Sequence, residues 1–98
     1  MILEVAILKI KPGMNQEFET AFAKAAPIIS GMNGYLGHDL QKCLATENKY
    51  LLLVNWENLT DHTVGFRGSV EYQTWKQLLH HFYDPFSIVE HYQTVLKN

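Results

Sequence analysis

Residues 2–10 read ILEVAILKI, a run rich in β-branched residues whose two alternating sets are both apolar: Leu3, Val5 and Ile7 on one side, Ile2, Ala6, Leu8 and Ile10 on the other. Successive side chains of a strand point to opposite faces, so this pattern implies a strand covered on both. Residues 49–57, KYLLLVNWE, repeat it. Two such strands belong in the middle of a sheet. Lys11-Pro12-Gly13 stops the first, because proline lacks the ladder donor and glycine permits the turn. From Met14 the period becomes helical, with Met14, Phe18, Phe22, Ala25 and Ile29 recurring at three or four. Pro27 is expected to kink or end this helix near Ala26.

Residues 35–44 carry one mostly apolar face (Leu36, His38, Leu40, Lys42, Leu44) against a mixed one, which suits an edge strand. Residues 45–48 then make a short hairpin connection. After the second two-faced strand, Asn58 or Thr60 caps a short helix ending near residues 65–68. Ser69 caps a longer one with the stripe Tyr72, Trp75, Leu78/Leu79 and Phe82, which Asp84-Pro85 stops. Residues 86–96, FSIVEHYQTVL, favour a closing strand. The order β-α-β-β-α-β predicts an α+β fold of the ferredoxin-like, split βαβ type, as a single domain over residues 1–98. Helices cover only one face of such a sheet. Leu3, Val5, Ile7, Leu51 and Leu53 alternate away from them, and a homodimer joined through the sheet faces would give them cover.

Composition narrows the function. Eight Lys+Arg against ten Asp+Glu, a net charge of −2, leave no basic run to follow nucleic acid or an anionic membrane surface. The longest apolar run, Tyr50 to Val54, is far short of a membrane span, and the N-terminal stretch holds Glu4 and no cleavage site, so a cytoplasmic location is expected. The lone Cys43 excludes an internal disulfide and supplies no second sulfur for a metal. Histidine pairs at ligand spacing are also missing, so no metal is expected.

The strand ending Ile10-Lys11-Pro12-Gly13, then Gly34-Tyr35-Leu36-Gly37, Val54-Asn55-Trp56-Glu57, Tyr72-x-x-Trp75 and Val89-Glu90-His91-Tyr92 together resemble the antibiotic biosynthesis monooxygenase type of dimeric α/β barrel over essentially the whole chain. The resemblance implies a sheet-to-sheet homodimer and a pocket for a small aromatic or hydrophobic ligand between sheet and helices. It also implies an activity among cofactor-independent monooxygenases of aromatic polyketides, quinol oxygenases or heme-degrading enzymes. Heme-degrading members imply an Asn on the first strand, a Trp ending the third and a ligating His on the following helix. Trp56 matches, but the Asn position falls on Ala6 and the His position near Trp75 or Lys76, with His80 and His81 a turn further on. No heme or other cofactor is therefore expected.

The candidate site follows from residue chemistry. His62 and Arg67 flank the flexible Gly65-Phe66 step, placing a base that titrates near neutrality and a planar cation at one pocket mouth. His62 is the expected general base and Arg67 the holder of a substrate oxyanion, with His91 as the alternative base. Trp56, Tyr92, Phe66 and Trp75 are the expected substrate-binding walls. Two other functions use the same pocket: a non-catalytic, ligand-binding or stress-related dimer, and an isomerase acting on a ring substrate.

Overall fold

The computed structural model describes all 98 residues and has the order β1 (Ile2–Lys9), α1 (Asn15–Ser30), β2 (Tyr35–Lys42), β3 (Lys49–Trp56), α2 (Val70–Leu79) and β4 (Ile88–Tyr92). A π-helical turn, Asp61–Phe66, joins β3 to α2, and a 3₁₀ turn, His80–Phe82, follows α2. The four strands pair antiparallel in the order β2-β3-β1-β4, so the two strands with two apolar faces are the central ones. This is the ferredoxin-like α+β arrangement. No helix is long and apolar enough to cross a membrane.

One face of the sheet carries α1 and α2. Ala6 and Leu8 of β1 and Tyr50, Leu52, Val54 and Trp56 of β3 are buried against Phe18, Phe22, Ala25 and Ile29 of α1 and Trp75 and Leu79 of α2. On the opposite face Leu3, Val5 and Ile7 pair with Asn55, Leu53 and Leu51, and Ile88 and Tyr92 of β4 lie beside them, 58% and 50% exposed. A single protomer leaves this apolar face open.

Three expected boundaries shift. Helix α1 runs through Pro27 to Ser30. Proline there costs on the order of 3 kcal/mol, yet the last turn holds because Ile29 is fully buried, and the Gly31 N–H and the Ser30 hydroxyl both close onto the Pro27 carbonyl. The element after β3 is a π turn with no side-chain cap. The closing strand is five residues long, because the chain beyond Tyr92 pairs with nothing. Ser69 does cap α2, accepting the Tyr72 N–H at 3.1 Å.

Candidate functional site

The only buried carboxyl and the only buried imidazole, Glu4 and His62, lie together. Glu4 shares the helix-side face of β1 with Ala6 and Leu8, and its cross-strand partner on β4 is His91. Its partner on β3 is Val54, which brings Trp56, two residues on, within diagonal reach. Trp56 is fully buried, and its indole Nε1–H donates to Glu4 Oε1 at 3.0 Å. The π turn supplies His62. Its i→i+5 closure, Arg67 N–H to the His62 carbonyl at 3.1 Å, makes a turn wider than an α-helix. Residues four and five positions on, Phe66 and Arg67, therefore both come back beside His62. Gly68 closes the turn so tightly that a Cβ there would sit 2.6 Å from the Val64 carbonyl oxygen.

The His62 ring stacks on Trp56 with centroids 5.6 Å apart. Its Nε2 is 3.4 Å from Glu4 Oε1 and its Nδ1 is 2.8 Å from His91 Nε2. The result is an unbroken line, Trp56–Glu4–His62–His91, running from the core to a half-buried histidine on β4. Burial pushes the Glu4 carboxyl up, against the opposing pull of the Trp56 hydrogen bond and of Arg67. Burial also pushes His62 down to about 3, with the positive charge of Arg67 and the neighbouring His91 acting the same way. Glu4, when ionised, opposes that fall. His91 is lowered too, by burial and then by Arg67. The imidazoles of this line are thus held neutral, while Glu4 retains a proton more readily than a free carboxyl.

Beside the line is a cavity of about 50 Å³, lined by Glu4, His62, Phe66, Arg67, Tyr72 and Trp75 among others. This is room for one or two waters or a molecule of that size. Arg67 is exposed at its edge and makes no ion pair, so its guanidinium donors are free for an anion. A larger groove of about 560 Å³ runs between α1 and α2, past Glu17, Lys24 and His81, but none of its titratable side chains pair in a network. No three His, Cys, Asp or Glu side chains converge as metal ligands. In the Glu4–His62–His91 line each group faces its neighbour rather than a common point.

The structure brings His62, His91, Arg67, Phe66 and Trp75 together and sets Trp56 and Tyr92 apart from the cavity. His62 is buried at 3% exposure rather than standing at a mouth, and both ring nitrogens are engaged, so neither is left to take a proton directly from a ligand. Trp56 lies behind His62 and is absent from the cavity wall. Tyr92 points to the open sheet face, where its hydroxyl donates to Glu90 at 2.9 Å; it follows the alternation of β4, whose helix-side residues are Val89 and His91. The residue sequence reasoning passed over is Glu4. Its signal was present: a lone carboxylate on the alternating set Glu4, Ala6, Leu8, Ile10, which is otherwise apolar.

Residues 1–78 match a family model described as antibiotic biosynthesis monooxygenase. The uncharacterised Bacillus subtilis protein YczJ is 64% identical over 95 residues, spanning 97% of this chain and 100% of YczJ. A crystal structure of a candidate antibiotic biosynthesis monooxygenase from Bordetella bronchiseptica superposes with TM-score 0.93 at 33% identity, covering 97% of each chain. SnoaB, a cofactor-independent oxygenase from Streptomyces nogalater, shares the fold, with TM-score 0.83, 16% identity and 98% of this chain covering 94% of that one.

Proposed function

The chain belongs to the antibiotic biosynthesis monooxygenase family, and from that premise we propose that it is a cofactor-independent monooxygenase of single-ring, electron-rich phenols or quinols. The observation that carries this is the unpaired guanidinium of Arg67 at the edge of a cavity whose wall also holds Glu4 and His62, the latter hydrogen-bonded to His91 behind it. A phenolate is electron-rich enough to reduce dioxygen itself. The protein then has three tasks: to remove the phenolic proton, to hold the oxyanion, and to keep water away from the intermediates. The Glu4–His62–His91 line serves the first, Arg67 the second, and the apolar wall of Phe66 and Trp75 the third. Overall, a phenol and O2 give a quinone and water: one oxygen atom bonds to the ring carbon, the other leaves as water, and the ring supplies the electrons.

The small cavity favours a small substrate. Its volume of about 50 Å³ accepts dioxygen as it stands, and a ring enters by displacing the Arg67–Tyr72 wall. The protein acts as a homodimer joined through the open sheet faces, a reading supported by the apolar set Leu3, Val5, Ile7, Leu51 and Leu53. Oxygen uptake with methylhydroquinone or a methoxyphenol, measured above autoxidation, tests the proposal. Enzyme-dependent uptake is expected. Product formed equally well under nitrogen would point to an isomerase, and saturable binding with no product to a ligand-binding protein.

A further inference from the structure

Neither nitrogen of His62 is free, so the line of groups beside the cavity needs a different end to meet a ligand. Glu4 provides it. Its Oε1 is occupied by the Trp56 indole and faces His62 Nε2. Its Oε2 accepts no hydrogen bond from the protein, yet no fully buried polar side-chain atom lacks a partner. Oε2 therefore keeps access to open space, and the open space beside Glu4 is the cavity. At the other end, His91 Nε2 meets His62 Nδ1, and the half-buried His91 leads outward to solvent along β4.

We propose that Glu4 is the catalytic residue that takes the proton from a ligand in the cavity, and that His62 and His91 are a relay carrying this proton to solvent. The proposal rests on the oxygenase reading for the identity of the ligand, a phenol or quinol. The line has two polarities that differ by one proton. With Glu4 ionised, His62 Nε2–H donates to Glu4 and His91 Nε2–H donates to His62 Nδ1. A half-turn of the protonated carboxyl brings the O–H taken up on the cavity side round to the His62 side; in that state Glu4 donates to His62 Nε2, His62 Nδ1–H donates to His91 Nε2, and His91 carries its single ring proton on Nδ1. Passing from the second state to the first moves each proton one place along and releases one from His91 Nδ1. In that concerted shift no imidazolium forms. A neutral-only relay suits a site where burial and Arg67 both disfavour charged histidine. When the phenolic O–H breaks, the negative charge passes from Glu4 to the substrate oxygen, so Arg67 faces a single anion before and after the transfer.

Other charged or titratable groups around Glu4 leave this logic intact. The π turn presents His62 and, at its end, Arg67; β4 presents His91; α2 presents Tyr72; the 3₁₀ turn and the residue after it present His80 and Tyr83. Helix α1 adds only Ile29 to the cavity wall. Burial lowers His80 and raises Tyr83, favouring the neutral form of each.

The test uses the full-length resting protein. ¹³C NMR of the Glu4 carboxyl and ¹⁵N NMR of the histidine rings are followed through acid titration, in wild type and in Glu4→Gln. Glutamine keeps a carbonyl oxygen for the indole and for His62 Nε2–H, but accepts no proton. The expected result is that His62 and His91 switch together from Nε2–H to Nδ1–H as Glu4 protonates, with one shared midpoint, and that Glu4→Gln abolishes the switch while its fold, seen in the amide spectrum, is unchanged. Turnover of methylhydroquinone should fall at least 100-fold in Glu4→Gln. Glu4 titrating with both histidine tautomers unchanged, or His62 becoming doubly protonated across that range, would overturn the relay. A clean switch combined with normal turnover in Glu4→Gln would overturn Glu4 as the acceptor. Failure of the oxygenase reading shows separately, as a wild type that takes up no oxygen.

Discussion

Replacing Trp56 by phenylalanine removes one hydrogen-bond donor from the core and leaves most of an aromatic ring in its place. Trp56 is fully buried, and its Nε1–H holds Glu4 Oε1 at 3.0 Å. A hydrogen bond to an ionised group is worth about 1.5–3 kcal/mol, and leaving a buried acceptor short of a donor forfeits that range. The smaller ring adds roughly 1 kcal/mol for lost packing. The expected cost of Trp56→Phe is therefore about 3 kcal/mol, a large part of the roughly 5–15 kcal/mol that a domain of this kind possesses. At about 4–8 °C per kcal/mol, Tm should fall by roughly 12–24 °C. Glu4→Leu removes the charge and keeps the volume but leaves the buried indole N–H without its acceptor, so it should itself cost about 1–3 kcal/mol. The decisive quantity is the coupling in the double-mutant cycle. Once Glu4 is leucine the indole has no acceptor to lose, so Trp56→Phe should cost only its packing share and the coupling should reach about 1–3 kcal/mol. Urea unfolding at one fixed protomer concentration measures it. Additivity within about 0.5 kcal/mol would refute the reasoning that the carboxylate, rather than the shape of the ring, is what Trp56 supports.

Leu53→Glu places a charge in the apolar open face opposite Val5 and should halve the mass seen by light scattering at micromolar protomer concentration; an unchanged mass would place the interface elsewhere. Arg67→Ala should lower turnover by about 10²-fold, the range for a lost charge stabiliser, with Tm unmoved because Arg67 is exposed and makes no ion pair. Acid stability should report His62. Unfolded, it takes a proton near 6.5, and folded only near 3, so the unfolded state binds more protons between these values and stability falls as pH falls through that window. Glu4, raised when folded, acts oppositely above its ordinary 4.5 and offsets part of the loss there. Below that value His62 stands uncompensated, and between pH 4.5 and 3 it should cost at most about 2 kcal/mol, allowing for residual solvent screening. His62→Gln should remove that slope in urea titrations compared across pH.

Much of the fold is legible in two short runs, residues 2–10 and 49–57, because a strand apolar on both alternating sets is at home only in the middle of a sheet. The sheet order follows from them, and the open apolar face from the order. Local rules failed where packing outweighed them. Pro27 does not end α1, since the turn beyond it carries Ile29 into the core. The π turn leaves no composition mark, because its width is set by closure onto the sheet. The site was legible in part. Residues 62–67 announced a base and a cation, and His91 belongs with them. What the sequence concealed is depth: a histidine in a polar segment reads as surface, whereas the π turn folds it under Trp56. Alternation along β4 puts His91 and Tyr92 on opposite faces, and which face turns to the helices is settled by pairing with Glu4 of β1 rather than by the sequence of β4 itself. Glu4 was overlooked because an alternating apolar pattern invites the eye to discount its one exception.

The central claim, that the chain inserts oxygen from O2 into a small phenol or quinol using its own side chains, is tested most directly by turnover under ¹⁸O2 in unlabelled water, with mass spectrometry of the product. One ¹⁸O atom per quinone formed, with the amount of labelled quinone falling in proportion to activity in Arg67→Ala, is the predicted result. Product that carries no label under ¹⁸O2, or that gains ¹⁸O only when the water is labelled, would contradict it.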